Sequence, residues 1–365
     1  MEDSRKYESA KYVVSILGFV FNTTLLIYLL TSASTFRIRD FAERLAAGPT
    51  VAIAVYFGVI GILLTLLQLP LDYFSGYYLE HRFGLSRQNL SSWIIDQLKG
   101  LAVGVVFGIV AAEIVYYLLR QHPDRWWIYA SLSFIGLFVV LANLAPVLLL
   151  PLFFKFTPVE NEDLRRRVER LAQRVGTRVR GIFEWSLGDK TRKANAAVVG
   201  WGNTRRIIVS DTLLRNFSPE EIEVIMAHEL CHHVKGHIWL GIGLQSILTF
   251  GSFYAMDGVL HHFGGTFRGL GDVANFPLLA LTALSLSLLV LPIVNFFSRK
   301  LETAADLFAL QITEDSFAFV SSMEKLAELN LANKSPHPVI EFLFYSHPSI
   351  ENRIKLAADR VGQQV

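Results

Sequence analysis

Five consecutive residues, His228-Glu229-Leu230-Cys231-His232, carry the most specific chemistry in the chain. On a helix, two histidines four residues apart share a face, so both imidazoles reach one ion, and Glu229, about 100° round, is placed to act as base on a water. A catalytic zinc needs a third protein ligand and an open fourth position. Glu302, in Glu302-Thr303-Ala304-Ala305-Asp306, is the candidate third ligand. Asp306 stands one helical turn further on, where it can accept a hydrogen bond from a ligand histidine. The expected cofactor is one zinc ion per chain. His233 and His237 lie about 100° and 140° round the helix from His232 and are expected to face protein or the interfacial layer. Cys231, the chain's single cysteine, reads as a small buried side chain, and it excludes an intrachain disulfide.

These residues act together only if the elements that carry them exist and meet. The first helix is well signalled: Ser218 as N-cap, Pro219 at the first helical position, Glu221 to complete a capping box, and Phe217 with Ile222 as a hydrophobic staple. No breaker interrupts it before Gly236. Six apolar stretches are long enough to cross a bilayer, at about 12–31, 49–71, 100–119, 126–154, 238–256 and 276–297. His232 comes just before the fifth and Glu302 just after the sixth, so an antiparallel hairpin returns Glu302 to the face where the histidines wait. Glu113 is the only acid within a span, and Asn143, Pro146 and Pro151 interrupt the fourth. Both features are expected to be satisfied locally by neighbouring helices.

The chain of 365 residues is 52% hydrophobic and only 18% charged, with a mean hydropathy of +0.39. A soluble domain is typically ~25% charged, so an ordinary cytosolic enzyme and a disordered chain are excluded. The net charge of +2 leaves no global field for an acidic partner, and no nucleic acid is expected. Two polar segments remain, about 155–237 and 298–365, each too small for a large core of its own. The expected organisation is an N-terminal membrane domain with four spans over 1–154 and a metallopeptidase domain over 155–365, interrupted by a two-span hairpin at about 238–297. Thirteen Lys and Arg near span ends lie on the face of the polar segments and six on the other, which places that domain in the cytoplasm. Within the first polar segment, 196–199 and 207–210 read as strands around a turn at Gly200-Trp201-Gly202-Asn203. An exposed edge of such a hairpin can add an extended peptide as a further strand. Leu164, Val168, Leu171 and Val175 mark a helix face that packs inward, with arginines on its solvated side.

At these residues the sequence resembles the type I CAAX prenyl endopeptidases and their bacterial relatives, integral membrane zinc metalloproteases. The resemblance runs through His228 to His237, Ser298 to Asp306, Asn195 to Gly202, Arg205 to Leu214, and Ser346-His347-Pro348 with Arg353; 69–84 also resembles the family's N-terminal membrane region. It implies zinc ligands at His228, His232 and Glu302, a catalytic Glu229, and His347 and Arg353 in the catalytic site. It further implies an extended strand at Asn195 and Ala196 that holds substrate backbone. The fold expected is a mainly α membrane protein of about six transmembrane helices, with a split α+β zincin-like metalloprotease domain on the cytoplasmic face of a bacterial inner membrane. The function expected is hydrolysis of peptide bonds in membrane-associated proteins near the bilayer surface. A metal-binding but inactive scaffold is the alternative from another class, disfavoured by the intact Glu229. A transporter is disfavoured because ionisable residues concentrate outside the spans. Within the family, a CAAX-type processing enzyme and a quality-control protease both fit.

Overall fold

In the computed structural model, which describes residues 2–200 and 205–362, all six apolar stretches are helical. α1 (Glu2–Thr31) leads away from the polar part, and the short α2 (Ser34–Leu45) lies at its far end. α3 (Pro49–Tyr73) returns and passes through a π-helical turn (Phe74–Tyr78) into α4 (Leu79–Arg82). α5 (Leu90–Gln121) and α6 (Trp126–Leu148) form the next pair, and a single turn, α7 (Leu150–Phe153), ends it. The break between α6 and α7 is where Pro151 falls, at a first-turn position that needs no amide hydrogen. Asn143 donates to the carbonyl of Val139 at 2.8 Å, within its own helix. Among the described residues no donor reaches the buried Glu113 Oε1.

The polar part follows: β1 (Phe156–Pro158), α8 (Glu162–Arg174), β2 (Ile182–Trp185), β3 (Ala196–Val199), β4 (Arg206–Ser210), α9 (Asp211–Asn216) and α10 (Pro219–Val234). α11 (His237–Phe263) and α12 (Phe276–Thr313) make the hairpin through the membrane, and α13 (Ser316–Leu329), α14 (Pro338–Phe344) and α15 (Ile350–Gly362) complete the chain. The sheet order is β1-β2-β4-β3, with β2 and β4 parallel, so β3 is an edge strand. β3 and β4 pair antiparallel, as the sequence predicts; most of their turn, 201–204, lies outside the described residues. One core collects Leu164, Val168 and Leu171 of α8, Ile207 and Val209 of β4, and Leu230 of α10 with Leu310 of α12 and Phe319 of α13. Both polar segments therefore bury side chains together, each large aliphatic contributing ~1.5–3 kcal/mol.

The spans leave Leu66, Ile247 and Leu289 more than 60% exposed, the surface that acyl chains solvate. Their ends away from the polar part are joined by buried polar pairs. Thr35 Oγ1 lies 2.7 Å from the Tyr56 hydroxyl, Arg39 Nη1 donates to Asp272 Oδ2 at 2.7 Å, and the Tyr116 hydroxyl donates to Asn275 Oδ1 at 2.6 Å. These bonds fix α2, α3 and α5 to the turn between α11 and α12, and so set where α12 starts its run toward the metal residues.

Candidate metal centre and substrate groove

α10 begins as its sequence requires. Ser218 Oγ accepts from the Glu221 amide at 3.3 Å and Glu221 Oε2 accepts from the Ser218 amide at 2.7 Å. Glu221 is further held by Ser321 Oγ at 2.6 Å and Lys325 Nζ at 2.7 Å, which fastens the helix start to α13. α10 packs along α12, the helix that returns from the membrane, and this contact brings His228 and His232 to Glu302. His228 Nε2 and His232 Nε2 are 3.3 Å apart; Glu302 Oε2 is 3.0 Å from the first and Glu302 Oε1 is 3.5 Å from the second. Ligand atoms ~2.0–2.1 Å from a tetrahedral zinc stand roughly 3.3 Å from one another. The triangle fits that ion, and among the described residues no hydrogen-bond donor is aligned on the buried Glu302 Oε2.

Each histidine is aimed from behind. His228 Nδ1 lies 2.8 Å from Asp306 Oδ1, which makes Nδ1 the protonated nitrogen and leaves the Nε2 lone pair facing the centre. Asp306 is gripped by Arg353, whose Nε and Nη2 donate to its two oxygens at 2.7 and 2.6 Å. Arg353 thus stands behind Asp306 while also lining the cavity beside the metal residues. His232 Nδ1 lies 3.1 Å from His237 Nδ1. That contact exists because Gly236, at φ 68°, breaks the helix and swings His237 back, a left-handed turn that glycine takes at no steric cost. Burial opposes charge on both histidines, but Asp306 and Glu302 hold the His228 proton up to about 9. Beside that charge, burial pushes His232 down to about 4. Two imidazoles and the Glu302 carboxylate, with Asp306 behind them, are a donor set that suits a cation. Burial pushes the Cys231 thiol up to about 11, so it stays neutral.

A cavity of about 610 Å³ opens beside the centre. Glu229 lines it, next to His228, and burial pushes its carboxyl up to about 7. Leu213, Ile225, Phe319 and Met323 form its apolar wall, and Asn195 and Ala196 its strand edge. His347, in the loop before α15, enters the rim with Nε2 3.4 Å from Glu302 Oε2 and Nδ1 2.9 Å from Ser346 Oγ. Asn195 turns its main chain toward β4, its amide donating to Ser210 Oγ and its carbonyl accepting from the Ser210 amide, both at 2.9 Å. By strand alternation Ala196 faces the groove.

Two positioning histidines were out of reach of sequence reasoning. His237 touches His232 five residues earlier, and only the glycine immediately before it, Gly236, hinted at the turn. His233 Nε2 lies 2.9 Å from the Val198 carbonyl and ties the end of β3 to α10.

Residues 158–361 match the family described as peptidase family M48, and residues 1–155 match the CAAX prenyl protease N-terminal region, five membrane helices. This chain places four candidate spans in that region. It is 29% identical over 360 residues to the uncharacterized metalloprotease YhfN of Bacillus subtilis, which covers 97% of this chain and 84% of that protein. It is 28% identical over 396 residues to CAAX prenyl protease 1 of Saccharomyces cerevisiae, covering 99% and 86%. The crystal structure of S. mikatae Ste24p superposes with a TM-score of 0.87 over 98% of this chain and 88% of that one, at 24% identity, and shares its fold.

Proposed function

Because the chain belongs to peptidase family M48, a family of metalloproteases, we propose that it is a zinc endopeptidase that cuts extended segments of membrane-associated proteins close to the bilayer surface. In this reading residues 155–365 form the peptidase domain, interrupted by the α11–α12 hairpin. His228, His232 and Glu302 hold one zinc per chain. The observation that carries the proposal is the convergence of these three ligand atoms at one end of a groove bordered by the edge strand β3. When bound, the zinc supplies Lewis acidity that polarises a carbonyl and acidifies water. Glu229 takes the proton of the attacking water and then delivers it to the leaving amine nitrogen. His347 donates from the rim to the carbonyl oxygen as charge develops there. Ala196 pairs with the main chain of the substrate, which is read without regard to sequence.

Location follows from the same geometry. α10 ends where α11 enters the membrane, and Glu302 lies roughly one and a half turns beyond the apolar run of α12. The excess of Lys and Arg on this face orients it to the cytoplasm, in the inner membrane of a bacterial cell. A peptide reaching the groove is therefore extended and near lipid. A prenylated CAAX protein, the substrate in the printed name of the yeast relative, would be one member of that class. The test compares one unstructured sequence, free or tethered to a span, in vesicles containing the purified protein at matched concentration. Faster cleavage of the tethered form, at bonds close to its span, is expected; equal rates would remove the role of the bilayer.

Asp306 offers a separable test. Asp306→Asn keeps the shape but weakens the acceptor for His228, so zinc affinity should fall about 10–100-fold. Asp306→Ala should also lower stability by ~3–5 kcal/mol, because it leaves the buried Arg353 guanidinium unpaired. Zinc titration and thermal unfolding of the two variants measure this. A complete loss of the ion in Asp306→Asn would instead make Asp306 a direct ligand.

A further inference from the structure

Along the outer edge of β3 and the residues before it, the main chain turns its polar groups outward at Ala194, Ala196 and Val198, since Asn195 spends its own on Ser210. Each of these positions has a group already engaged, and at Ala196 it is the amide, which donates to Asn195 Oδ1 at 2.8 Å and leaves the carbonyl open. The Val198 carbonyl is taken by His233. At Ala194 a single side chain takes both groups: the amide donates to Asn330 Oδ1 at 2.9 Å, and the carbonyl accepts from Asn330 Nδ2 at 3.2 Å. A carboxamide offers one donor edge and one acceptor edge, the same pair that one residue of an adjacent strand offers to an antiparallel partner. We infer that Asn330 is a specificity-determining residue whose carboxamide stands in for one residue of a bound strand and so ends the pairing of substrate at Ala196. The inference rests on the reading above that this edge holds substrate main chain.

Both halves of this contact are anchored. The Asn330 amide donates to the Leu326 carbonyl at 3.0 Å, closing the end of α13. The next residue, Leu331, sits at φ 50° and packs against Tyr7, Leu79 and Leu85 of the membrane part. A leucine stays in the left-handed region only where its surroundings over-determine it. On the other side, Lys193 Nζ pairs with Glu80 Oε2 at 3.0 Å and the Lys193 carbonyl accepts from Thr212 Oγ1 at 2.7 Å. A substrate strand that displaced Asn330 would have to disturb α13 and the seam with α1 and α4. The bound chain accordingly bonds to the Ala196 carbonyl, pairs no further toward Ala194 and turns away there.

The test uses purified full-length zinc-loaded protein and an unstructured peptide that it cleaves, N-methylated at one residue at a time. N-methylation deletes a single main-chain donor. In the unaltered protein one position, the partner of Ala196, should be sensitive, its kcat/KM falling roughly tenfold. The residue two places along, in register with Ala194, should be indifferent. Asn330→Ala, with zinc content and thermal midpoint checked, should add that second sensitive position. Equal sensitivity at both positions in the unaltered protein would overturn the inference, as would an Asn330→Ala profile identical to the original. Should Asn330→Ala not fold, the scan on the unaltered protein decides alone. No sensitive position anywhere would count against the strand edge itself, a failure distinct from that of Asn330.

Discussion

Glu229→Gln is expected to keep the zinc and the fold and to lose about 10²–10⁴ of the peptidase rate, the range that one positioned acid–base group supplies. The amide has the size of the carboxylate but cannot take a proton from water or return one to the amine. Among the described residues Glu229 makes no hydrogen bond or ion pair, so nothing structural depends on its charge, and it lines the groove beside His228. Metal analysis alongside single-turnover cleavage separates chemistry from folding. Zinc content near one per chain with cleavage near the original rate would end the proposed mechanism. The same variant also retains substrate, so membrane peptides that accumulate in cells carrying it would identify what the groove takes.

The second large effect concerns the ion. Glu302→Ala or His228→Ala removes one of the three proposed ligands, and a site with two does not retain zinc through purification, so content should drop from about one per chain to about none. Cys231→Ser should leave it at one, because the thiol is buried and neutral. Loss of the ion should also lower thermal stability, since the metal joins α10 to α12 across two segments of the chain. At about 1,000-fold zinc excess over Kd the linkage is worth ~4 kcal/mol. Full zinc in Glu302→Ala would remove Glu302 from the ligand set.

The features legible in the sequence share a physical trait: each is written locally. The six spans are readable because a bilayer demands about 20 apolar residues in succession. The start of α10 is readable because Ser218, Pro219 and Glu221 lie within four residues of one another. Glu302 could be named as a candidate because hairpin topology restricts where a returning chain arrives. The unread features are pairings between distant segments. β1 and β2 are strands of three and four residues, too short for a period. Arg353 meets Asp306, Glu80 meets Lys193 and Asn330 meets Ala194 over separations of 47, 113 and 136 residues, and no periodicity records them. His237 reaches His232 only through the left-handed Gly236, a backbone angle that composition does not encode.

α12 is one continuous helix of 38 residues, about 57 Å long, that begins at the far side of the spans and ends beyond Asp306. Pro292 interrupts its hydrogen-bond ladder ten residues before Glu302. With a lever arm of about 15 Å from that proline, each degree of bending carries the Glu302 carboxylate about 0.3 Å, more than the ~0.2 Å tolerance of a metal–ligand distance. Span tilt responds to hydrocarbon thickness. An ion held by His228, His232 and Glu302 would therefore brace the lever, with the bilayer loading the other end. Membrane thickness would then be a mechanical input to metal coordination, transmitted along the single rod of α12.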